Sequence, residues 1–289
     1  MTVNVSYKEM VRLRDYSSAF SRTVFTDIIK YQDYSHLNWL YNQYKTNNQF
    51  DSYARYLNKI YSTISKEYRC EYVYKNELLG HLIRQYGTKE TSAYNEFCVG
   101  NSIVDIALFN GESKAFEIKT EYDTPKRLGK QIEDYKKIFD RCYIVIPIEK
   151  ENVYSRLPVD ESTGIIALKR ENGRIYLMPV REAKYNANID VEIMMSCLRT
   201  KEYESIVSSY LGSLPKIPAC YMYKECLSIM KQIPQQDLKK HFISTLKKRQ
   251  LNTQTINKVP SFLRQICLSL NLSMKGAETL LDRLEKPII

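Results

Sequence analysis

The sequence lacks several features that would fix its class at once. It contains no run of about 20 apolar residues, so we expect no membrane-spanning helix. Its opening residues include no apolar h-region, so we expect no signal peptide and predict a cytoplasmic location. The seven cysteines form no CxxC pair and the three histidines are dispersed, which argues against a disulfide framework or a zinc site.

What the sequence does have is length and positive charge. A chain of 289 residues can bury a substantial core and suits one catalytic domain with extensions. The formal net charge of +10 favours an anionic partner such as nucleic acid.

Charged side chains interrupt two apolar, strand-like runs between residues 101 and 122. Asp105 lies in the first run, and Glu117 and Lys119 lie in the second. Burying an unpaired carboxylate is expensive, so such groups persist when they are paired or bind a metal. Two carboxylates suit Mg²⁺ or Mn²⁺, and a lysine beside them suits an attacked phosphate. The alternatives are a solvated hairpin face or a structural pair between Lys119 and Glu117.

The register of this hairpin decides whether the two carboxylates meet. Side chains alternate faces along a strand, so Glu117 and Lys119 share one face. Asn110-Gly111 predicts a hairpin turn. A two-residue loop would place Asp105 and Glu117 on opposite faces, whereas a three-residue loop ending at Glu112 places them directly opposite, with Cβ atoms about 5 Å apart. We therefore expect the longer loop, or a bulge with the same effect.

A helix is predicted after the second strand. Thr124 and Pro125 are typical of a helix start, and residues 142–148 form an apolar run typical of a buried strand. The apolar stripe of the helix comprises Leu128, Ile132, Tyr135 and Phe139. Gln131 interrupts this stripe and needs a partner, either the backbone or, together with Arg127, the predicted metal site or phosphate.

This order of motifs resembles the PD-(D/E)XK nuclease superfamily, and more narrowly an uncharacterised bacterial and phage branch of it. The matching positions are Asp105, Glu117, Lys119, Asp123, Arg127, Gln131 and Tyr135. The resemblance covers about residues 90–150. It implies an α/β (α+β) protein with a restriction-endonuclease-like αβββαβ core, a mixed sheet and flanking helical regions.

The predicted chemistry is hydrolysis of a phosphodiester bond. Asp105, Glu117 and the backbone carbonyl of Ile118 are the predicted Mg²⁺ or Mn²⁺ ligands, and Lys119 is expected to orient the attacking water. Gln131 completes the predicted catalytic set. The superfamily often adds a third acid, for which Glu77 and Glu96 are equal candidates; an ordinary solvated glutamate is the alternative for Glu77.

Three segments are predicted: a helical region at 1–68, the nuclease-like core at 69–183 and a helical region at 184–289. Within the core, Gly164–Val180 predicts a second hairpin with its turn at Asn172-Gly173. The C-terminal helices suggest a homodimer or a protein partner. The candidate nucleic-acid contacts are Arg127, Lys130, Tyr135, Lys239, Lys240, Lys247, Lys248 and Arg249.

The sequence thus predicts a metal-dependent nuclease that acts on DNA more readily than RNA, with a role in phage defence or mobile-element biology suggested by the resemblance alone. The alternative is a non-catalytic nucleic-acid-binding or protein-interaction module on a nuclease-like fold.

Overall fold

The computed structural model describes residues 6–44, 49–157, 160–171, 174–249 and 252–288. The helices described are α1 Tyr7–Ser18, α2 Arg22–Tyr31, α3 Ser35–Gln43, α4 Tyr53–Glu67, α5 Glu71–Tyr86, α6 Leu128–Lys136, α7 Glu151–Ser155, α8 Val191–Ser196, α9 Thr200–Leu211, α10 Ala219–Met230, α11 Gln235–Arg249, α12 Thr253–Lys258, α13 Arg264–Ser269 and α14 Met274–Leu284. The strands are β1 Ser92–Val99, β2 Ser102–Phe109, β3 Ser113–Ile118, β4 Arg141–Pro147, β5 Gly164–Glu171 and β6 Arg174–Arg181.

The strands form a six-stranded mixed sheet in chain order. β1, β2 and β3 pair antiparallel as a meander, and β4 and β5 then join parallel to β3. The parallel step from β3 to β4 needs a crossover, and α6 supplies it. The protein is therefore a mixed α/β protein with flanking helices, as the sequence predicted.

Contacts group the described residues into two compact units. The first contains the residues up to Thr88, Arg170–Tyr176 and those from Asn252 onward; the second contains Lys89–Lys169 and the residues from Leu177 to Arg249. The three predicted segments were consecutive along the chain, whereas these units bring distant segments together. The predicted core at 69–183 begins just before α5, which belongs to the first unit.

The core of the second unit lies between the sheet and its helices. Apolar residues of β1 to β5 pack with α6, α8, α9, α10 and α11. Its aromatic centre contains Phe97, Phe109, Phe139 and Phe242, whose rings meet mostly edge to face. The face of the sheet that carries Ala107, Ala115 and Ile144 is therefore covered, and any polar side chain on that face must find partners there.

The first unit is a helical assembly. α1 packs on α4, α2 on α14, and α5 on α13. The buried side chain of Asn76 ties α5 to the turn before α13, because it donates to Ser261 O at 2.8 Å and accepts from the Gln265 amide at 3.0 Å.

Two local predictions have different outcomes. The helix after β3 begins with a 3₁₀ turn, Pro125–Arg127, and Thr124 makes no side-chain cap. The proline start is thus confirmed, whereas the hydroxyl cap is not formed.

The predicted turn at Asn172-Gly173 lies outside the described residues. In the part of the chain that is described, no helix is long and apolar enough to cross a membrane.

Candidate functional site

Glu117 is a buried carboxylate near the end of β3, with its side chain 3% exposed. Its Oε1 accepts from Lys119 Nζ at 2.7 Å and from Gln131 Nε2 at 2.6 Å. Its Oε2 lies 2.6 Å from the Tyr135 hydroxyl. Three donors therefore surround a group that would otherwise be costly to bury.

Lys119 and Gln131 form a chain of contacts with this carboxylate. The Lys119 ammonium also donates to Gln131 Oε1 at 3.2 Å, so the amide bridges the lysine and the acid. The lysine side chain is 12% exposed. Gln131 therefore has side-chain partners, Glu117 and Lys119, and its place in a metal or phosphate site stays a prediction.

Asp105 lies across from Glu117. The β2–β3 register pairs Ile106 with Phe116 and Phe109 with Ser113, so the loop is Asn110–Glu112, with three residues. One step further along this register sets Asp105 opposite Glu117. This confirms the predicted loop length. Asp105 is half-buried and its Oδ2 accepts from the Ile118 amide at 2.8 Å.

Gly111 makes this loop possible. Its φ of 108° lies in a region that side-chain-bearing residues rarely adopt, and Asn110 N donates to Glu112 O at 3.1 Å across it. The facing positions of Asp105 and Glu117 thus depend on Gly111, which lies six residues from each of them along the chain.

The oxygens at this site are of the kind that a hard divalent cation takes. Mg²⁺ is commonly held by one or two carboxylates and keeps several waters, and Asp105, Glu117 and the Ile118 carbonyl offer such oxygens. Among the described residues, no cluster of three or more His, Cys, Asp or Glu side chains is close enough to hold a metal. A cation here would rely on two carboxylates rather than three.

The two candidate third acids lie in different units. Glu77 lies on α5 in the first unit, where its Oε1 accepts from the Tyr61 hydroxyl at 2.6 Å. Glu96 lies on β1, and the β1–β2 register sets it opposite Asp105. Its φ of 55° is left-handed, which breaks the pleat, and its side chain is exposed.

The structure corrects the assignment of Tyr135 to nucleic-acid contact. The side chain is fully buried, and its hydroxyl lies 2.6 Å from both Glu117 Oε2 and the Ile103 carbonyl oxygen. Burial first, and then the charge of Glu117, raise the pKa of Tyr135 far above its usual range, so it stays a neutral donor. Tyr135 therefore orients the acid rather than touching a ligand.

The structure also corrects the assignment of Lys239 to phosphate contact. Its side chain is 7% exposed and its Nζ pairs with Asp140 Oδ1 at 2.7 Å, donates to Asn186 O at 2.5 Å and lies 4.7 Å from the Tyr185 ring centre. Asp140 also accepts from Ser113 N at 2.7 Å. A lysine held in this way joins α11 to the sheet and is not available to a ligand.

The remaining basic candidates fall into two groups. Arg127, Lys130, Lys240 and Lys248 are exposed. Lys247 pairs with Glu90 at 2.5 Å, and Arg249 pairs with Glu202 at 2.5 Å with both side chains largely buried. The exposed group faces solvent, although Lys240 also forms a surface ion pair with Asp237 at 3.0 Å. Arg249, in contrast, is part of the internal packing of its unit.

Sequence reasoning missed the acid partners of the buried lysine and of Arg249. Asp140 lies 99 residues from Lys239, and Glu202 lies 47 residues from Arg249. No local spacing connects such pairs. One signal in the sequence does indicate that Lys239 is buried. On α11 it directly follows Leu238 and lies among the apolar positions of the helix.

Comparison with known proteins gives the family. Residues 64–265 match the family model of bacteriophage P4 protein cII. The chain belongs to the bacteriophage P4 cII family. The curated protein cII of Enterobacteria phage P4 is 21% identical over 182 residues, which is 62% of this chain and 64% of that protein. This family member thus aligns with less than two thirds of the length of that relative.

One solved structure resembles part of this family member. It is a protein of unknown function from Silicibacter pomeroyi, with a TM-score of 0.33 and 14% sequence identity. The alignment covers 47% of this chain and 88% of the other.

Proposed function

We propose that this protein is a metal-dependent nuclease that hydrolyses phosphodiester bonds, with DNA as its main substrate. The observation that carries the proposal is the arrangement around Glu117: a buried carboxylate bonded to Lys119, with Asp105 opposite it in the strand register. A carboxylate pair beside a cation is the set of groups that phosphodiester hydrolysis needs.

The element order supports a restriction-endonuclease-like core. From α5 to β4 the chain runs helix, three antiparallel strands, helix, and a strand parallel to the third. This is the αβββαβ order implied by the resemblance to the PD-(D/E)XK superfamily. A fold of this kind hosts many activities, so the functional argument rests on the residues.

Each residue has a distinct proposed role. Asp105, Glu117 and the Ile118 carbonyl would hold Mg²⁺ or Mn²⁺, which acidifies a bound water and stabilises negative charge on the phosphate. Lys119 would orient that water and supply a positive charge beside the phosphate. Gln131 and Tyr135 hold Glu117 in place through their 2.6 Å contacts.

One observation favours the alternative of a non-catalytic binding module. Both oxygens of Glu117 already have protein donors, so the carboxylate is satisfied without a cation. In that case the hydrogen bonds around Glu117 are structural. The exposed basic side chains alone then bind the nucleic acid or a partner protein.

The test is cleavage of plasmid, linear duplex, single-stranded DNA and RNA with Mg²⁺, Mn²⁺ or EDTA. Asp105→Asn keeps the size of the half-buried side chain and removes its charge. We expect cleavage by the wild type to need the metal, and the variant to lose about 100-fold or more. Asp282→Asn is the matched control, because Asp282 is exposed on α14 and the variant should cleave like wild type.

The outcomes separate the two functions. Metal-dependent cleavage lost only in Asp105→Asn supports the nuclease. Binding of the same substrates without cleavage by any protein supports the binding module. Equal cleavage by both variants would reject the assigned site.

A further inference from the structure

Two arginines of the first unit converge on one glycine. A methyl group built at Gly80 on α5 would lie 2.6 Å from Arg264 Nη1 and 3.5 Å from Arg84 Nη1. Two guanidinium groups thus approach the same point on the surface of α5. Like charges so close together repel, and an anion between them would relieve that repulsion.

The hydrogen-bonding capacity of the Arg264 guanidinium is not fully used within the protein. Its Nε is buried and finds no hydrogen-bond partner among the described residues. Burial first, and then the charge of Arg84, lower the pKa of Arg264, while Glu77 and Tyr61 act in the opposite direction. A buried guanidinium donor without a partner is uncommon and marks a place where a ligand can bind.

The local charge balance is positive. Glu77 is the carboxylate whose charge reaches Arg264, and its Oε1 is already taken by the Tyr61 hydroxyl at 2.6 Å. His81 lies nearby on α5, and burial followed by the charge of Arg84 lowers its pKa. Two positive charges therefore face one negative charge here, and the lowered pKa of His81 favours its neutral form.

The backbone holds Arg264 in place. It begins α13, and the adjacent Gln265 amide donates to the Asn76 side chain on α5 at 3.0 Å. The same asparagine donates to Ser261 O at 2.8 Å. The backbone on either side of Arg264 is thus fixed to α5 before any ligand arrives, which reduces the entropic cost of binding.

We propose that Arg84 and Arg264 form a phosphate-binding site above Gly80 on α5. Guanidinium groups bind phosphate oxygens through paired hydrogen bonds, and two of them match a phosphate monoester or diester. Because Gly80 has no side chain, the two guanidinium groups can come close to the backbone of α5 at this point. The site lies in the first unit and does not depend on the carboxylate pair of the second.

The test is titration of the full chain with inorganic phosphate and with a short single-stranded oligonucleotide, followed by calorimetry. We expect saturable binding of at least one of them to the wild type and a dissociation constant about 10-fold or more weaker in both Arg84→Gln and Arg264→Gln. Arg14→Gln on α1 removes the same charge from an exposed position and should bind like wild type. Phosphate binding alone identifies a small anion as the ligand; oligonucleotide binding that phosphate competes away identifies a nucleic-acid backbone.

Several results would overturn the site. No saturable binding of either probe to the wild type would do so, as would equal losses in all three variants. Should Arg264→Gln fail to fold, the exposed Arg84→Gln still decides. Because the readout is binding, a protein without nuclease activity can still pass, and a failure here leaves the test of Asp105 unaffected.

Discussion

The hydroxyl of Tyr135 shows how one atom organises the candidate site. It lies 2.6 Å from the Glu117 carboxylate and 2.6 Å from the Ile103 carbonyl, and the ring is fully buried. A hydroxyl has one proton to donate, so these two acceptors share a single donor. Removing it would leave both with one partner fewer in a buried environment.

We therefore predict that Tyr135→Phe destabilises the protein by about 1–3 kcal/mol, the usual cost of leaving a buried acceptor unsatisfied. The measurement is equilibrium unfolding in urea. Tyr154→Phe is the matched control, since Tyr154 is also buried but its hydroxyl has no hydrogen-bond partner among the described residues. The control should be neutral or slightly stabilising. Equal destabilisation of both variants would show that the cost does not come from the hydrogen bonds of the Tyr135 hydroxyl.

At the scale of elements, an ion pair joins the end of α11 to the start of α9. Arg249 donates to both Glu202 oxygens at 2.5 Å and to the Cys197 carbonyl at 2.8 Å. Glu202 also accepts from the Arg199 amide at 2.7 Å. Burial raises the pKa of Glu202, but the bonds from Arg249 and Arg199 together outweigh it, and the pKa is lowered from 4.5.

This pair predicts a pH dependence of stability. A carboxyl with a lowered folded-state pKa contributes fully above its unfolded value, and the contribution is lost as pH falls through the folded value. We expect wild type to lose stability from about pH 5 downward more steeply than Glu202→Gln. Urea unfolding between pH 7 and pH 3 measures the slope. Glu225→Gln, at an exposed position of α10, should keep the wild-type slope.

Elements also show what could be predicted from the sequence. Alternation along two strands and the Asn110-Gly111 turn predicted the hairpin, because both signals are local, but they left two registers open. The longer loop was predicted because it lets the two carboxylates meet, and the structure has that loop. The same reasoning failed for Lys239, whose partner Asp140 is remote in the chain. It also assigned Tyr135 to nucleic-acid contact. Helical spacing predicts that the ring is buried, but it does not identify Glu117 as the acceptor of the hydroxyl.

The whole molecule carries a formal charge of +10, but its basic side chains are not equally available. Within the C-terminal basic clusters, Lys239 is held by the buried Asp140 and Arg249 by the largely buried Glu202. Lys240 and Lys248 are exposed. If the protein binds nucleic acid as proposed, these two lysines should contribute through counterion release, and the held residues should not.

This distinction can be measured as a salt dependence. We expect the logarithm of the binding constant for duplex DNA to fall linearly with the logarithm of salt concentration, in EDTA so that cleavage does not interfere. Substituting both Lys240 and Lys248 with Gln should reduce that slope by about 2, one for each lost phosphate contact. Lys89→Gln with Lys231→Gln removes the same charge from exposed positions elsewhere in the second unit and is the matched control. An equal reduction in both double variants would mean that DNA responds to total charge rather than to α11, and no salt dependence in any protein would argue against a nucleic-acid partner.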